Sequence, residues 1–151
     1  MSAPVDDAQM LAERLVGAML AGDAFSRWLG VELTKVRPGA CTVRMTVRDE
    51  MVNGFGVCHG GVTYSLADSA LAFASNTHGR VTVSVDNGIA YPAPVHAGDS
   101  LTAAATEESV AGRLAFYRVV VANQDGTTVA LFRGTVYRTR RALLPDVVSD
   151  E

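Results

Sequence analysis

The chain has 151 residues, 48% of them hydrophobic, and its 16 acidic and 13 basic side chains give a net charge of -3. That length suits one domain with a real core and is too short for two of usual size; no apolar run approaches the roughly 20 residues that cross a bilayer, and a pI near 5.6 argues against nucleic acid as the main partner. Asp6, Asp7 and Glu13 stand where a secretory leader would be basic and then apolar, and Cys41 and Cys58 form neither a disulfide framework nor a zinc pattern, so the expectation is one cytoplasmic domain over residues 1–151, with reduced thiols and no membrane partner.

Asp6 or Asp7 is placed to cap an amphipathic helix over about residues 6–22, with Leu11, Leu15, Ala18 and Met19 at helical spacing and Gly22 at its end. A short second turn holds Phe25, Trp28 and Leu29. Between Val31 and Val47 the period becomes two: Cys41, Val43, Met45 and Val47 alternate with Thr42, Arg44 and Thr46, and Pro38-Gly39 separates two runs. This predicts a hairpin with one wet face. Asn53-Gly54 and Gly56 then break the pattern.

The stretch His59 to His78 reads as the central helix. Ala67, Ala70, Ala72 and Ala74 with Leu66 and Leu71 outweigh the mediocre formers around them, His78 suits the C-terminal dipole, and Gly79 suits the left-handed position after the last turn. Beyond it the chain is nearly all strand. Val81, Val83 and Val85 alternate with Thr82, Ser84 and Asp86, and further runs span about 99–108, 113–123 and 127–138, separated by Gly98-Asp99, Ala111-Gly112 and Asn123-Gln124-Asp125-Gly126. The predicted architecture is α+β, an antiparallel sheet of five to six strands wrapped around one long helix. The core covers about residues 24–138, and the tail 139–151 reads as loosely ordered.

Asp68 is the one charged side chain between His59 and His78. An ionised carboxylate surrounded by small and apolar residues is costly to bury without a partner, which marks it as a candidate for chemistry.

These residues, in this order, resemble the hotdog-fold acyl-CoA thioesterases of the phenylacetate-degradation (PaaI-type) branch. The likeness runs over roughly residues 24 to 138. It is carried by Met51-Val52-Asn53-Gly54, then Cys58-His59-Gly60-Gly61, then Leu66-Ala67-Asp68, and near the end Ala130-Leu131-Phe132-Arg133-Gly134. The resemblance implies hydrolysis of aryl-acyl thioesters such as (hydroxy)phenylacetyl-CoA by a dimer, commonly paired into a tetramer. Asp68 would be nucleophile or general base and the Gly60 N–H would polarise the thioester carbonyl. Asn53 would help hold carbonyl or water, and His59 would support by hydrogen bonding.

Elementary chemistry is compatible with those roles. Gly60 and Gly61 open a helix, so their N–H groups lack intrahelical partners and sit at the positive end of the dipole. Met51, Phe55, Tyr64 and Phe73 are candidates to line an acyl slot. Arg133, with Arg138, Arg140 and Arg141, is a candidate for the CoA phosphates, with solvated surface charge as the plainer reading of each. Cys58, beside the helix start, is a weaker candidate nucleophile. Asn53 beside Gly54 is also ordinary turn chemistry. No cofactor is required, since coenzyme A belongs to the substrate, and no ligand cluster suggests a metal.

Asp68 lies eight residues beyond Gly60, about 12 Å along the same helix at about 1.5 Å per residue. A reacting carbon must sit about 3 Å from both, so one helix cannot supply both groups and a second copy is expected to complete the site. Two other functions are open to the same fold: a hydratase or dehydratase, whose Asp-x-Asn-Pro-x-His-like loop is absent here, and a non-catalytic acyl-CoA-binding protein.

Overall fold

The computed structural model describes residues 3–147, with side chains from Asp7 onward. Three helices, α1 (Ala3–Gly22), α2 (Ala24–Leu29) and α3 (Gly60–Ser75), accompany strands β1 (Glu32–Arg37), β2 (Ala40–Thr46), β3 (Arg80–Ala90), β4 (Ser100–Ala111), β5 (Leu114–Ala122) and β6 (Thr128–Ala142). The strands form one six-stranded sheet in the order β1-β2-β4-β5-β6-β3, with every pair antiparallel. The predicted α+β sheet around a central helix is what the chain adopts.

Alternation decides which face of the sheet meets α3. Val43 and Met45 of β2, Leu101 and Ala103 of β4, Val119 and Val121 of β5 and Phe132 of β6 are buried together with Leu66, Ala70 and Phe73 of the helix. Small residues let the helix come close. At Gly134 of β6 an added Cβ would overlap a methyl of Leu71 and approach Asn87 Oδ1 to 3.1 Å, so the glycine in Ala130-Leu131-Phe132-Arg133-Gly134 makes room for α3.

Several boundaries differ from the sequence reading. Helix α1 begins at Ala3, so Asp6 and Asp7 lie within its first turns and do not cap it. Helix α3 ends at Ser75, three residues before His78. There the Asn76 and Thr77 side chains donate to the Ala72 and Ala74 carbonyls, and His78 instead pairs with Glu107 at 2.9 Å. Gly79 does take the left-handed conformation, at φ +97°.

The stretch read as a loose tail from residue 139 is strand through Ala142, paired with β3 as far as Arg80. Leu143 N–H then donates to the Gly79 carbonyl at 2.8 Å, and Asp146 pairs with Arg14 at 2.7 Å. Residues 148–151 of that stretch lie outside the described residues. The surface arginines 138, 140 and 141 hid the strand, because backbone pairing leaves no mark in composition.

Strand β3 also turns its valines the other way. Val83 and Val85 are 47% and 57% exposed while Thr82 is buried, because the Asn76 side chain accepts from Thr82 N–H and donates to its carbonyl, and the register shifts on either side of Thr82–Ser84. Among the described residues no strand pairs with the outer edge of β3. The opposite edge, β1, is covered by α1, whose Gln9 donates to the Val36 carbonyl at 2.7 Å. A long edge with exposed β-branched residues is a template for pairing with another strand. No helix of the described residues is long and apolar enough to cross a membrane.

Candidate active site

The loop entering α3 is built by its own backbone. His59 N–H donates to the Met51 carbonyl at 2.8 Å and Val52 bridges Cys58, so Met51 and Asn53 come back beside the helix start. Asn53 Oδ1 accepts from Phe55 N–H at 2.9 Å and from Val57 N–H at 3.4 Å. Its oxygen therefore shapes the turn, and its amide nitrogen is the part left to meet a ligand.

His59 is the N-cap of α3, with Nδ1 accepting from Gly61 N–H at 2.9 Å. An accepting Nδ1 carries no proton, so the ring is the neutral tautomer with its hydrogen on Nε2. This corrects the expectation of two free glycine donors. Gly61 N–H is occupied, and Gly60 N–H is the donor without a hydrogen-bond partner among the described residues. Any side chain on Gly61 would meet His59 Nδ1 at 2.9 Å, so that glycine serves the cap.

Tyr91, just past the end of β3, donates its hydroxyl to the Gly60 carbonyl at 2.8 Å. With Val57, Cys58, Thr63, Ala93, Pro94 and Val95 it lines a cleft of about 180 Å³ at the helix start. Burial pushes the Cys58 thiol above its ordinary range, a hydrogen bond with Thr63 draws it partly back, and the negative charge of Asp99 adds a smaller upward push. Cys58 is thus a protonated, buried thiol, which argues against it as the nucleophile.

Further along the helix, Asp68 is half-buried. Asn87 Nδ2 donates to Asp68 Oδ1 at 3.3 Å and to the Tyr64 hydroxyl at 3.1 Å, while Asn87 Oδ1 accepts from Ser84 at 2.7 Å. Burial raises the Asp68 carboxyl above its ordinary value and the Asn87 amide draws it partly back. Tyr64 also packs edge-on against Phe132, at 5.3 Å between centroids.

Gly60, Tyr64 and Asp68 recur every four residues and so share one face of α3. Two rulers then measure the gap between acid and donor. Along the helix it is about 12 Å; along the strand, Asn87 beside Asp68 and Tyr91 beside Gly60 are four residues apart, about 13 Å at about 3.3 Å each. Within one chain the two groups do not meet.

The other candidates divide. Met51 is buried, its sulfur accepting from Arg48 N–H. Phe73 is wholly buried in the core, so it offers no surface to an acyl group in this chain. Phe55 is 94% exposed and lines nothing within one chain. Arg133 stands on the sheet face turned away from α3, directly across from Arg118 in a cleft of about 340 Å³. It therefore does not approach Asp68 within the chain. Asn87, Ser84 and Tyr91 join the site without having stood out in the sequence. The lapse of the Val81-Val83-Val85 alternation at Asp86-Asn87-Gly88 was the available signal, since Asn and Gly are depleted inside strands. Among the described residues no group of three or more His, Cys, Asp or Glu stands close enough to hold a metal ion.

A helix enclosed by a six-stranded antiparallel sheet, with an acid on the helix and a glycine pair at its start, defines the hotdog class. The family model described as Thioesterase superfamily matches residues 55–130, and the chain belongs to that superfamily as a hotdog-fold thioester hydrolase. It is 40% identical over 121 residues to the acyl-coenzyme A thioesterase PaaI of Escherichia coli, covering 80% of this chain and 86% of that one. The structure of the E. coli PaaI protein from the phenylacetic acid degradation operon superimposes with a TM-score of 0.87 at 36% identity, covering 89% of this chain and 98% of that one. A Streptococcus mutans protein bound to acetyl CoA superimposes with a TM-score of 0.70 at 25% identity, covering 72% and 88%.

Proposed function

We propose that the protein hydrolyses aryl-acyl-CoA thioesters, (hydroxy)phenylacetyl-CoA among them, to free acid and coenzyme A, at sites formed between two subunits. The observation that carries this reading is the pair on one face of α3: a half-buried carboxylate at Asp68 and an unbonded N–H at Gly60, each suited to one half of thioester hydrolysis and about 12 Å apart. The relatives' acyl-CoA chemistry and the phenylacetic acid operon of the E. coli protein support the substrate class.

The partner is a second copy of this chain. A twofold axis passing near residue 64, midway between the two groups, brings Gly60 of one subunit to Asp68 of the other and yields two equivalent sites. The unpaired edge of β3, its exposed Val83 and Val85 and the exposed Phe55 support an interface on this side of the molecule. Pairing of such dimers into a tetramer is the further expectation. The exposed outer face of the sheet, with Leu114, Phe116, Leu131 and Tyr137, is the surface available for it.

In this site the thioester carbonyl oxygen accepts from Gly60 N–H, whose dipole position favours the oxyanion formed on attack. Ionised Asp68 either takes a proton from water as the water oxygen bonds to the carbonyl carbon, or attacks that carbon itself to give an anhydride that water then opens. The C–S bond breaks as the tetrahedral intermediate collapses, and the coenzyme A sulfur leaves with the electron pair. Single turnover in oxygen-18 water separates the two routes, since only the anhydride leaves label in the protein carboxylate. The Asn53 amide nitrogen lies by the helix start, where it could steady carbonyl or water.

Release of thiol from a panel of aryl and fatty acyl-CoA esters tests the reading. Turnover with an aryl preference is expected. Ligand retention without thiol release would instead favour a binding protein, and hydration without thiol release a hydratase.

Activity should also report the state of Asp68. Only the ionised form attacks or takes a proton, so kcat/KM is expected to fall as pH drops through a pKa above the ordinary aspartate value. Asn87→Ala removes the amide that opposes the effect of burial, and the acid limb is expected to move to higher pH. An unmoved limb would mean that Asn87 does not act on Asp68.

A further inference from the structure

We infer that Tyr91 is a positioning residue for the oxyanion donor, acting with His59 to lock the peptide between Gly60 and Gly61 from both sides. The inference rests on the proposed role of Gly60. That peptide is held at each polar end: its N–H, from Gly61, donates to His59 Nδ1 at 2.9 Å, and its carbonyl, from Gly60, accepts the Tyr91 hydroxyl at 2.8 Å. The neighbouring peptide, between His59 and Gly60, carries the free donor. The donor's own peptide is held at its carbonyl end alone, where His59 C=O accepts from Val62 N–H at 2.9 Å; a glycine lacks the Cβ that would restrict its backbone further, and a first-turn N–H belongs to no helical ladder. With the Gly60–Gly61 peptide fixed on one side and the His59 carbonyl held by Val62 N–H on the other, the two soft dihedrals of Gly60 keep little play, and the N–H between them holds its direction.

The packing matches this role. Tyr91 lies so close over Gly60 that a Cβ there would meet its hydroxyl oxygen at 3.1 Å and its ring carbon Cζ at 3.2 Å. The phenol is far from an anchor of the core, since Tyr91 is 48% exposed. Its hydroxyl could bond water instead, so a protein partner contributes little to folding and much to geometry. Burial, with Tyr64 and Cys58 adding to it, raises the phenol above its ordinary range and keeps it a donor throughout the neutral region. His59 is itself fixed by its N–H bond to the Met51 carbonyl, so the two arms of the clamp come from different parts of the chain. A donor aimed wrongly by a fraction of an ångström loses much of its value to a developing oxyanion.

Tyr91→Phe keeps the ring and deletes only the bond. In the full-length protein, kcat on an acyl-CoA substrate is expected to fall about tenfold or more with KM within about twofold of the parent. Hydrogen exchange of the Gly61 amide is expected to quicken about tenfold while the buried helical amides of Leu66 to Ala74 are unchanged. Tyr91→Leu removes the cleft wall as well and is expected to raise KM in addition. A Tyr91→Phe protein with parental kcat, with a change in KM alone, or with unaltered Gly61 exchange would overturn the inference. Were the parent to release no thiol from any acyl-CoA, the proposed function would fail, and the Gly61 exchange would still decide whether the clamp exists.

Discussion

Asp68→Asn is expected to lower kcat by about 10³-fold and, at neutral pH, to raise the melting temperature. The two effects have one cause. Burial raises the Asp68 carboxyl above its unfolded value, so in the window between the unfolded and folded pKa the native state holds the proton more tightly than the unfolded chain does. Stability is full below that window, falls as pH rises through it, and stays lowered above it. Asparagine has the shape of the protonated acid and never ionises, so the variant escapes this cost while losing the group that attacks or takes the proton. Thermal melts at two pH values check the account: the gain from Asp68→Asn should be present at pH 7 and shrink toward pH 3. A variant that kept its kcat would remove Asp68 from the chemistry. One that lost kcat and melted lower at pH 7 would assign it a structural role.

How much of this could be read from the chain depends on the range of the interaction. The central helix, the Pro38-Gly39 turn and most of the strand segments followed from local alternation and turn residues, and Asp68 stood out because nothing within ten residues resembled it. Other features rest on contacts distant in sequence. Asn87 reaches Asp68 across 19 residues and Tyr91 reaches Gly60 across 31, and a period-two pattern is silent about such meetings. The His59 cap was hidden for a different reason: both glycines look like free donors until one is seen to be held by the ring beside it. Phe73 fitted a slot on composition and proved to be core, because helix position alone does not say which face meets the sheet. The outward valines of β3 likewise meet no strand among the described residues, and they support the proposed pairing with a second copy.

The division of labour between subunits has the second large expected effect. Gly60→Pro deletes the donor N–H at the first helical position, where the helix backbone accepts proline and the half-exposed Tyr91 side chain must shift to admit its ring, and Asp68→Asn deletes the acid. Each protein alone is expected to be nearly inactive, since every site of either homodimer lacks one group. In a mixed dimer the outcome differs by site. The site with Gly60 from the Asp68→Asn subunit and Asp68 from the Gly60→Pro subunit is intact, and the other site lacks both groups.

Unfolding the two variants together, refolding them at equal amounts and measuring thiol release therefore tests the shared site most directly. Random pairing makes half the dimers mixed, each with one working site of two, so recovery of about a quarter of parental activity is expected. Activity that stays at the level of the separate variants, in a mixture verified to contain mixed dimers, would contradict the account and place Gly60 and Asp68 in the service of one subunit.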